Sequence, residues 1–153
     1  MIEMIDNGVG KILKSLEDTQ QLDNTIIVFT SDHGDMMGDH GLFLKGFMHY
    51  RGTLQVPLMV RAPGIEAQEN HELASSIDIG PTLLELCELP FYEGIQGETL
   101  VPILLGDKKS VRDCVLIEDD IATVTSRLTP IPGKTRTLTV SYTHLTLPTK
   151  RIV

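Results

Sequence analysis

Several features are scarce or missing in this sequence, and each shortage narrows the reading. No apolar run approaches the ~20 residues that a membrane-crossing helix requires, so a spanning helix is not expected. Basic residues are in the minority, with 13 Lys and Arg against 21 Asp and Glu and a formal net charge of -8. No nucleic-acid partner is expected, because phosphate binding needs a basic surface. Cys87 and Cys114 are the only cysteines. Two cysteines make no disulfide framework and leave the redox compartment open. Each lies among apolar residues, which reads as a buried free thiol. The N-terminus lacks the basic-then-apolar pattern of a secretory signal. Cytoplasmic and periplasmic or secreted settings both stay open, as does homo-oligomerisation.

The 153 residues suit one domain, and 41% hydrophobic with 22% charged content fits a soluble globular chain. Ile5, Val9, Ile12, Leu13 and Leu16 recur at helical spacing and predict an amphipathic helix over about residues 2–18. Gly8 and Gly10 weaken it by about 1 kcal/mol each relative to Ala. A polar connection, Gln20 to Asn24, leads to an apolar strand, Thr25–Thr30. A helix feeding a short apolar strand is the pattern of a layered α/β fold, with this strand expected at the centre. Val56 to Arg61 reads as a second strand with Pro57 near its start, and Glu66 to Glu72 as a polar loop. Ile79 to Leu89 reads as a helix capped by Asp78, with Pro81 in its first turn. Leu83, Leu84, Leu86 and Cys87 are expected to form its buried face. Val111 to Glu118 is expected to be a strand carrying Cys114 inward.

Between the first two strands lies the stretch with the most chemistry. Thr30-Ser31-Asp32-His33-Gly34-Asp35-Met36-Met37-Gly38-Asp39-His40-Gly41-Leu42-Phe43-Leu44-Lys45 holds three Asp, two His and one Lys among three glycines. From Ser31 to Gln55 no period appears, and a stretch of that length inside a compact domain is usually functional. Asp32 offers a hard anionic oxygen and His33 a borderline nitrogen, and both can ligate a divalent cation. Neighbouring side chains of a strand face opposite ways, but at a strand end running into Gly34 both can turn to one ion. Lys45 suits a tetrahedral oxyanion as a compact point charge. Asp35 and Asp39 read as turn formers. His40 and His49 are weaker candidates: each could orient a metal ligand, act as a leaving-group acid, or be a loop residue tied to a carbonyl.

The string from Asn24 to Lys45, followed by Val56-Pro57-Leu58-Met59-Val60-Arg61-Ala62-Pro63-Gly64, resembles the sulfatase family of the alkaline-phosphatase superfamily. Ser-Asp-His-Gly, then Gly-Asp-His-Gly, then Lys, then Val-Pro-Leu is the order that carries the resemblance. Ile77-Asp78-Ile79-Gly80-Pro81-Thr82-Leu83-Leu84 and Gln96-Gly97-Glu98-Thr99-Leu100 resemble later structural segments of the same family. The implied fold is α/β, an alkaline-phosphatase/sulfatase-like layered sheet with flanking helices, incomplete in this chain. Residues 1–120 would be the C-terminal portion of a sulfatase catalytic domain.

The implied activity is metal-dependent hydrolysis of sulfate esters, on a small-molecule or glycan substrate. Asp32 and His33 would be metal ligands and Lys45 would bind the substrate sulfate, with His40 and His49 as the weaker catalytic candidates. Ca2+ is the first metal implied. Many relatives have Asn at the position of His33, and the Asp-His version occurs in phosphonate monoester hydrolases, where Mn2+ is implicated. A phosphonate or phosphate ester hydrolase of the same superfamily and a non-catalytic metal- or anion-binding module are the alternatives. The family nucleophile is a formylglycine made within Cys/Ser-x-Pro-x-Arg. Neither Leu86-Cys87-Glu88-Leu89-Pro90 nor Asp113-Cys114-Val115-Leu116-Ile117 matches that motif. The formylglycine and the family's paired aspartates are expected in an N-terminal part not contained here, so the chain alone is expected to be inactive. Arg51 departs from the acidic residue that many relatives carry after the tyrosine.

The composition breaks after Asp120. Residues 121–153 have no Asp or Glu, and nine of the 33 are Thr. All 21 acidic residues lie in 1–120 with eight of the 13 Lys and Arg, which leaves about -13 there against +5 in the tail. The Thr-Leu steps give the tail β propensity without a patterned apolar face. Ser141 to Val153 resembles translated sequencing-adaptor read-through. The native frame is therefore expected to be lost at about 137–141, the alternative being a genuine basic, Thr-rich extension.

Overall fold

A computed structural model describes residues 1–45, 49–121, 133–140 and 143–146. In chain order the elements are α1 (Ile2–Asp18), β1 (Ile27–Thr30), α2 (Arg51–Leu54), β2 (Leu58–Arg61), α3 (Ile79–Leu86), α4 (Val101–Leu104), β3 (Cys114–Ile121), β4 (Gly133–Val140) and β5 (Thr143–Thr146). Single 3-10 turns occur at Leu22–Asn24, Asp39–Gly41 and Ser76–Asp78. Of the tail, residues 122–132, 141–142 and 147–153 lie outside the described residues, and the expectations for them with it. The chain divides into two compact units, residues 1–30 with 57–66, and residues 31–56 with 67–153.

In the first unit, α1 has the limits that its apolar period predicts and runs through Gly8 and Gly10. β1 and β2 pair antiparallel with Ile27 opposite Arg61 and Thr30 opposite Leu58. Both strands are shorter than expected, and Pro57, which has no amide hydrogen, stands just outside the ladder. The expected central place of β1 is not realised among the described residues, where β2 is its one neighbour. Period-two alternation puts Ile27, Phe29 and Met59 on one face. With Ile2, Ile5, Val9 and Leu13 of α1 they line an open apolar cleft of about 340 Å3. Arg61 donates to the Leu22 carbonyl and pairs with Asp23 at 3.2 Å, tying β2 to the turn after α1.

The second unit has its own apolar core, with Leu100, Val101 and Ile103 around α4, Val115 of β3, and Met36. β3, β4 and β5 form an antiparallel meander. Cys114 pairs with Val140 and Ile121 with Gly133, so the compositional break at residue 120 falls inside β3. The polar loop expected at 66–72 is tied down: Gln68 Nε2 donates to the Ile103 and Leu104 carbonyls at 3.0 and 2.6 Å. Those carbonyls sit at the end of α4, where that of Ile103 also accepts the Gly106 amide at 3.0 Å.

Three sequence expectations need correction. Asp78 does not cap α3 with its side chain. Ser75 is the capping residue of the 3-10 turn ahead of the helix, and Asp78 answers it in a capping box. Asp78 is fully buried. It accepts the Ser75 and Glu98 amides, both at 2.8 Å, and pairs with Arg112. Position 97 must be Gly here, because its φ is +90° and a Cβ would stand 2.4 Å from the Ile77 carbonyl oxygen. Secondly, the buried face of α3 is Pro81 and Thr82, while Leu83, Leu84 and Leu86 are half-buried. Thr82 is satisfied there by donating to the Asp78 carbonyl at 2.6 Å and accepting the Leu100 amide at 2.9 Å. Thirdly, both cysteines are free and exposed. β3 starts three residues later than expected, and its alternation turns Val115 inward instead of Cys114.

Asp78 is thus a buried carboxylate whose partners are all spoken for. Asp78→Ala would strand the Arg112 guanidinium and two amides, and the expected loss is about 3–5 kcal/mol of stability. Urea unfolding of the chain measures it. A loss under 1 kcal/mol would show that water replaces the carboxylate freely.

Candidate metal and oxyanion site

The loop that follows β1 starts with a chain of short-range hydrogen bonds. Ser31 Oγ donates to the His33 carbonyl at 2.8 Å and lies 3.4 Å from Asp32 Oδ1. The His33 amide donates to the same Asp32 oxygen at 3.0 Å. These bonds turn the backbone out of the strand pleat, and the two side chains come together: Asp32 Oδ2 is 3.5 Å from His33 Nε2. The His33 amide bond is the largest cause holding the Asp32 carboxyl below its ordinary pKa. Asp32 therefore stays anionic into more acidic solution than a free aspartate.

His33 is held at both ring nitrogens. Nδ1 lies 2.8 Å from the Gly34 carbonyl oxygen, which can only accept, so Nδ1 carries the hydrogen. Nε2 lies 2.9 Å from Lys45 Nζ. An ammonium only donates, so the ring is neutral and Nε2 is the acceptor. Lys45, twelve residues downstream, thereby joins Asp32 and His33 in one group.

The intervening loop explains how Lys45 gets there. The Met36 amide donates to the Leu44 carbonyl at 3.2 Å and the Gly38 amide to the Leu42 carbonyl at 2.8 Å. These two bonds fold 36–44 back on itself, with Met36 3% exposed as the anchor. Met37, His40 and Leu44 all have positive φ, at 47°, 52° and 67°. Such backbone is unfavourable for side-chain-bearing residues and concentrates at functional loops. Asp35 Oδ1 accepts the Met37 amide at 2.9 Å, a turn-forming role.

The loop's start is fixed from below. The Gly34 amide donates to the Thr53 carbonyl at 2.8 Å, and a Cβ at position 34 would lie 2.0 Å from the Gly52 oxygen. Sequence reasoning gave Gly34 freedom to turn; the closer requirement is room for the α2 backbone. Ser31, Gly52 and Thr53 were missed as contributors. Ser31 stood inside the quoted motif, whereas nothing in the spacing marks Gly52 or Thr53.

The remaining candidates are placed differently. The His40 ring stacks on Tyr50, with centroids 4.4 Å apart. Among the described residues no hydrogen bond or ion pair joins it to Asp32, His33 or Lys45. His49 is half-buried. Arg51 is exposed on α2 and donates to Gln55, one helical turn on.

For a divalent cation, Asp32 supplies a carboxylate and His33 a neutral imidazole with its lone pair on Nε2. That donor set fits two positions of a metal shell. No group of three or more His, Cys, Asp or Glu that could hold a metal occurs among the described residues.

The family model for sulfatases matches residues 1–89, more than half of the chain. The chain belongs to the sulfatase family. Arylsulfatase K of Gallus gallus is 43% identical over 101 residues, 65% of this chain and 19% of that protein. Among solved structures, BT4656 in complex with its substrate D-glucosamine-2-N,6-O-disulfate has a TM-score of 0.78 at 29% identity, covering 92% of this chain and 28% of that one. The phosphonate monoester hydrolase SpPMH from Silicibacter pomeroyi has a TM-score of 0.73 at 31% identity, covering 88% and 28%. The fold is the α/β, alkaline-phosphatase-like fold of sulfatases, and the chain spans less than a third of each of these proteins.

Gly34→Ala tests the seating of this sulfatase loop. The added methyl meets backbone, which cannot swing aside, so the Gly34–Thr53 bond should break. Hydrogen exchange should show the amide at position 34 losing its protection; protection at the wild-type level would mean that the loop does not rest on α2.

Proposed function

We propose that this chain is part of a metal-dependent sulfatase that hydrolyses sulfate esters, and that Asp32, His33 and Lys45 are its contribution to the active site. One observation carries the reading: a carboxylate oxygen and an ammonium nitrogen both approach the same imidazole nitrogen, at 3.5 and 2.9 Å. Asp32 and His33 would hold the metal, with Ca2+ the first candidate from the family and Mn2+ the second, which the imidazole donor favours. When bound, the ion supplies positive charge to the ester oxygens and helps to activate the nucleophile.

The residues of this chain have separate tasks. The Gly34 carbonyl fixes the His33 tautomer, so that the lone pair faces the site. Asp32, kept ionised by the His33 amide, brings net negative charge to the cation. Lys45 brings a compact positive charge for a tetrahedral oxyanion and stabilises charge that grows on it during ester cleavage. The nucleophile and the remaining metal oxygens would come from a formylglycine motif and paired aspartates, which this sequence lacks. Activity is therefore proposed for the full-length enzyme that carries this segment. Sulfated glycans are the substrate class, in line with the disulfated glucosamine named for BT4656.

Asp32→Ala and His33→Ala in that enzyme should each remove bound metal and lower turnover by about a hundredfold or more. Unchanged metal stoichiometry in both would rule out the assignment. Lys45→Ala should lower kcat/KM by about a hundredfold with metal content unchanged; wild-type kinetics would make it an ordinary surface lysine.

A second reading rests on the Asp-His pair together with the likeness to the phosphonate monoester hydrolase. Sulfate and phosphonate esters present similar tetrahedral oxyanions to Lys45. Turnover of aryl sulfate above aryl phosphonate is expected from the same enzyme, and the reverse order would favour this second reading.

A further inference from the structure

The His33 Nε2 lone pair has two claimants. Nδ1 is committed to the Gly34 carbonyl at 2.8 Å, so Nε2 is the one ring nitrogen left to accept or to ligate. Lys45 Nζ takes it at 2.9 Å. A nitrogen lone pair cannot serve an N–H donor and a cation together, and the ammonium is itself a cation held on the ring nitrogen that Asp32 Oδ2 approaches at 3.5 Å. We propose that Lys45 is a resident cation of this site which a divalent metal must displace. Metal entry then frees the amine for the ester oxyanion and couples assembly of the metal shell to readiness for substrate. This inference rests on Asp32 and His33 being the metal ligands proposed above.

The geometry permits the exchange. Lys45 is exposed and ends a flexible four-carbon stem, whereas His33 cannot turn away without losing the Gly34 bond. The Lys45–His33 bond is the one hydrogen bond recorded for the amine among the described residues. Moving it off Nε2 gives up that contact and breaks no other hydrogen bond of the amine among the described residues. Leu44 precedes it with φ 67° and is fastened to the Met36 amide, so the exchange is a movement of the Lys45 side chain with its backbone in place.

The test uses the chain itself, with Zn2+ as a diamagnetic probe and NMR signals of the His33 ring and the Lys45 side chain. Lys45→Met should lower the Zn2+ concentration that half-saturates His33 roughly threefold or more, the range for a solvent-exposed charged contact. In the wild-type chain, Zn2+ saturation should move the Lys45 signal to the position it has in metal-free His33→Ala. Half-saturation unchanged or raised in Lys45→Met, or a Lys45 signal that stays put while His33 saturates, would overturn the displacement and leave the metal pair standing. If neither Asp32 nor His33 responds to Zn2+, the metal assignment falls and the displacement with it.

Discussion

The arrangement at this site depends on a single bond between the His33 ring and the carbonyl of the next residue. Gly34 offers only an acceptor, so the hydrogen of the neutral ring is committed to Nδ1 and the lone pair to Nε2. Without that commitment, Asp32 and Lys45 would face a ring free to turn either nitrogen toward them. With it, an anionic oxygen, a lone pair and an ammonium meet within hydrogen-bond and ion-pair distances. The bond depends on a further condition, that position 34 has no side chain, because the α2 backbone occupies the place of a Cβ.

Between the Asp32–His33 pair and Lys45 the chain adopts backbone that is unfavourable for Met37, His40 and Leu44. Two cross-loop hydrogen bonds and the burial of Met36 offset that strain. The result is a tight loop that returns Lys45 to His33 over twelve residues, where an extended chain would carry it tens of ångströms away. Strain held in place by packing is a common way to position groups at active sites.

The buried Asp78 applies the same logic to stability. An isolated carboxylate inside a protein is strongly disfavoured. Here two amides and Arg112 surround it, and its capping box starts α3. It also fixes Gly97 and Glu98 against the turn before the helix. The family resemblance at 77–84 and 96–100 thus corresponds to a physical contact, since Asp78 joins the two segments directly.

Much of this was legible along the chain. The apolar period of Ile5, Val9, Ile12, Leu13 and Leu16 gave α1 its limits, because a helix stripe is a local property. The apolar run before Ser31 and the residue types at 32, 33 and 45 marked the candidate site, because metal and oxyanion chemistry restricts which side chains can serve. The register of the ladder, the inward turn of Val115 in place of Cys114, and the burial of Asp78 were not legible. Each depends on a partner far away in sequence: Arg61 for Ile27, Val140 for Cys114, Arg112 for Asp78. The sequence by itself determined the chemistry on offer, since donor atoms and charges belong to residues. Tertiary structure alone decided that Lys45 reaches His33 and which ring nitrogen it meets, because those follow from loop closure and hydrogen-bond commitments that no single residue contains.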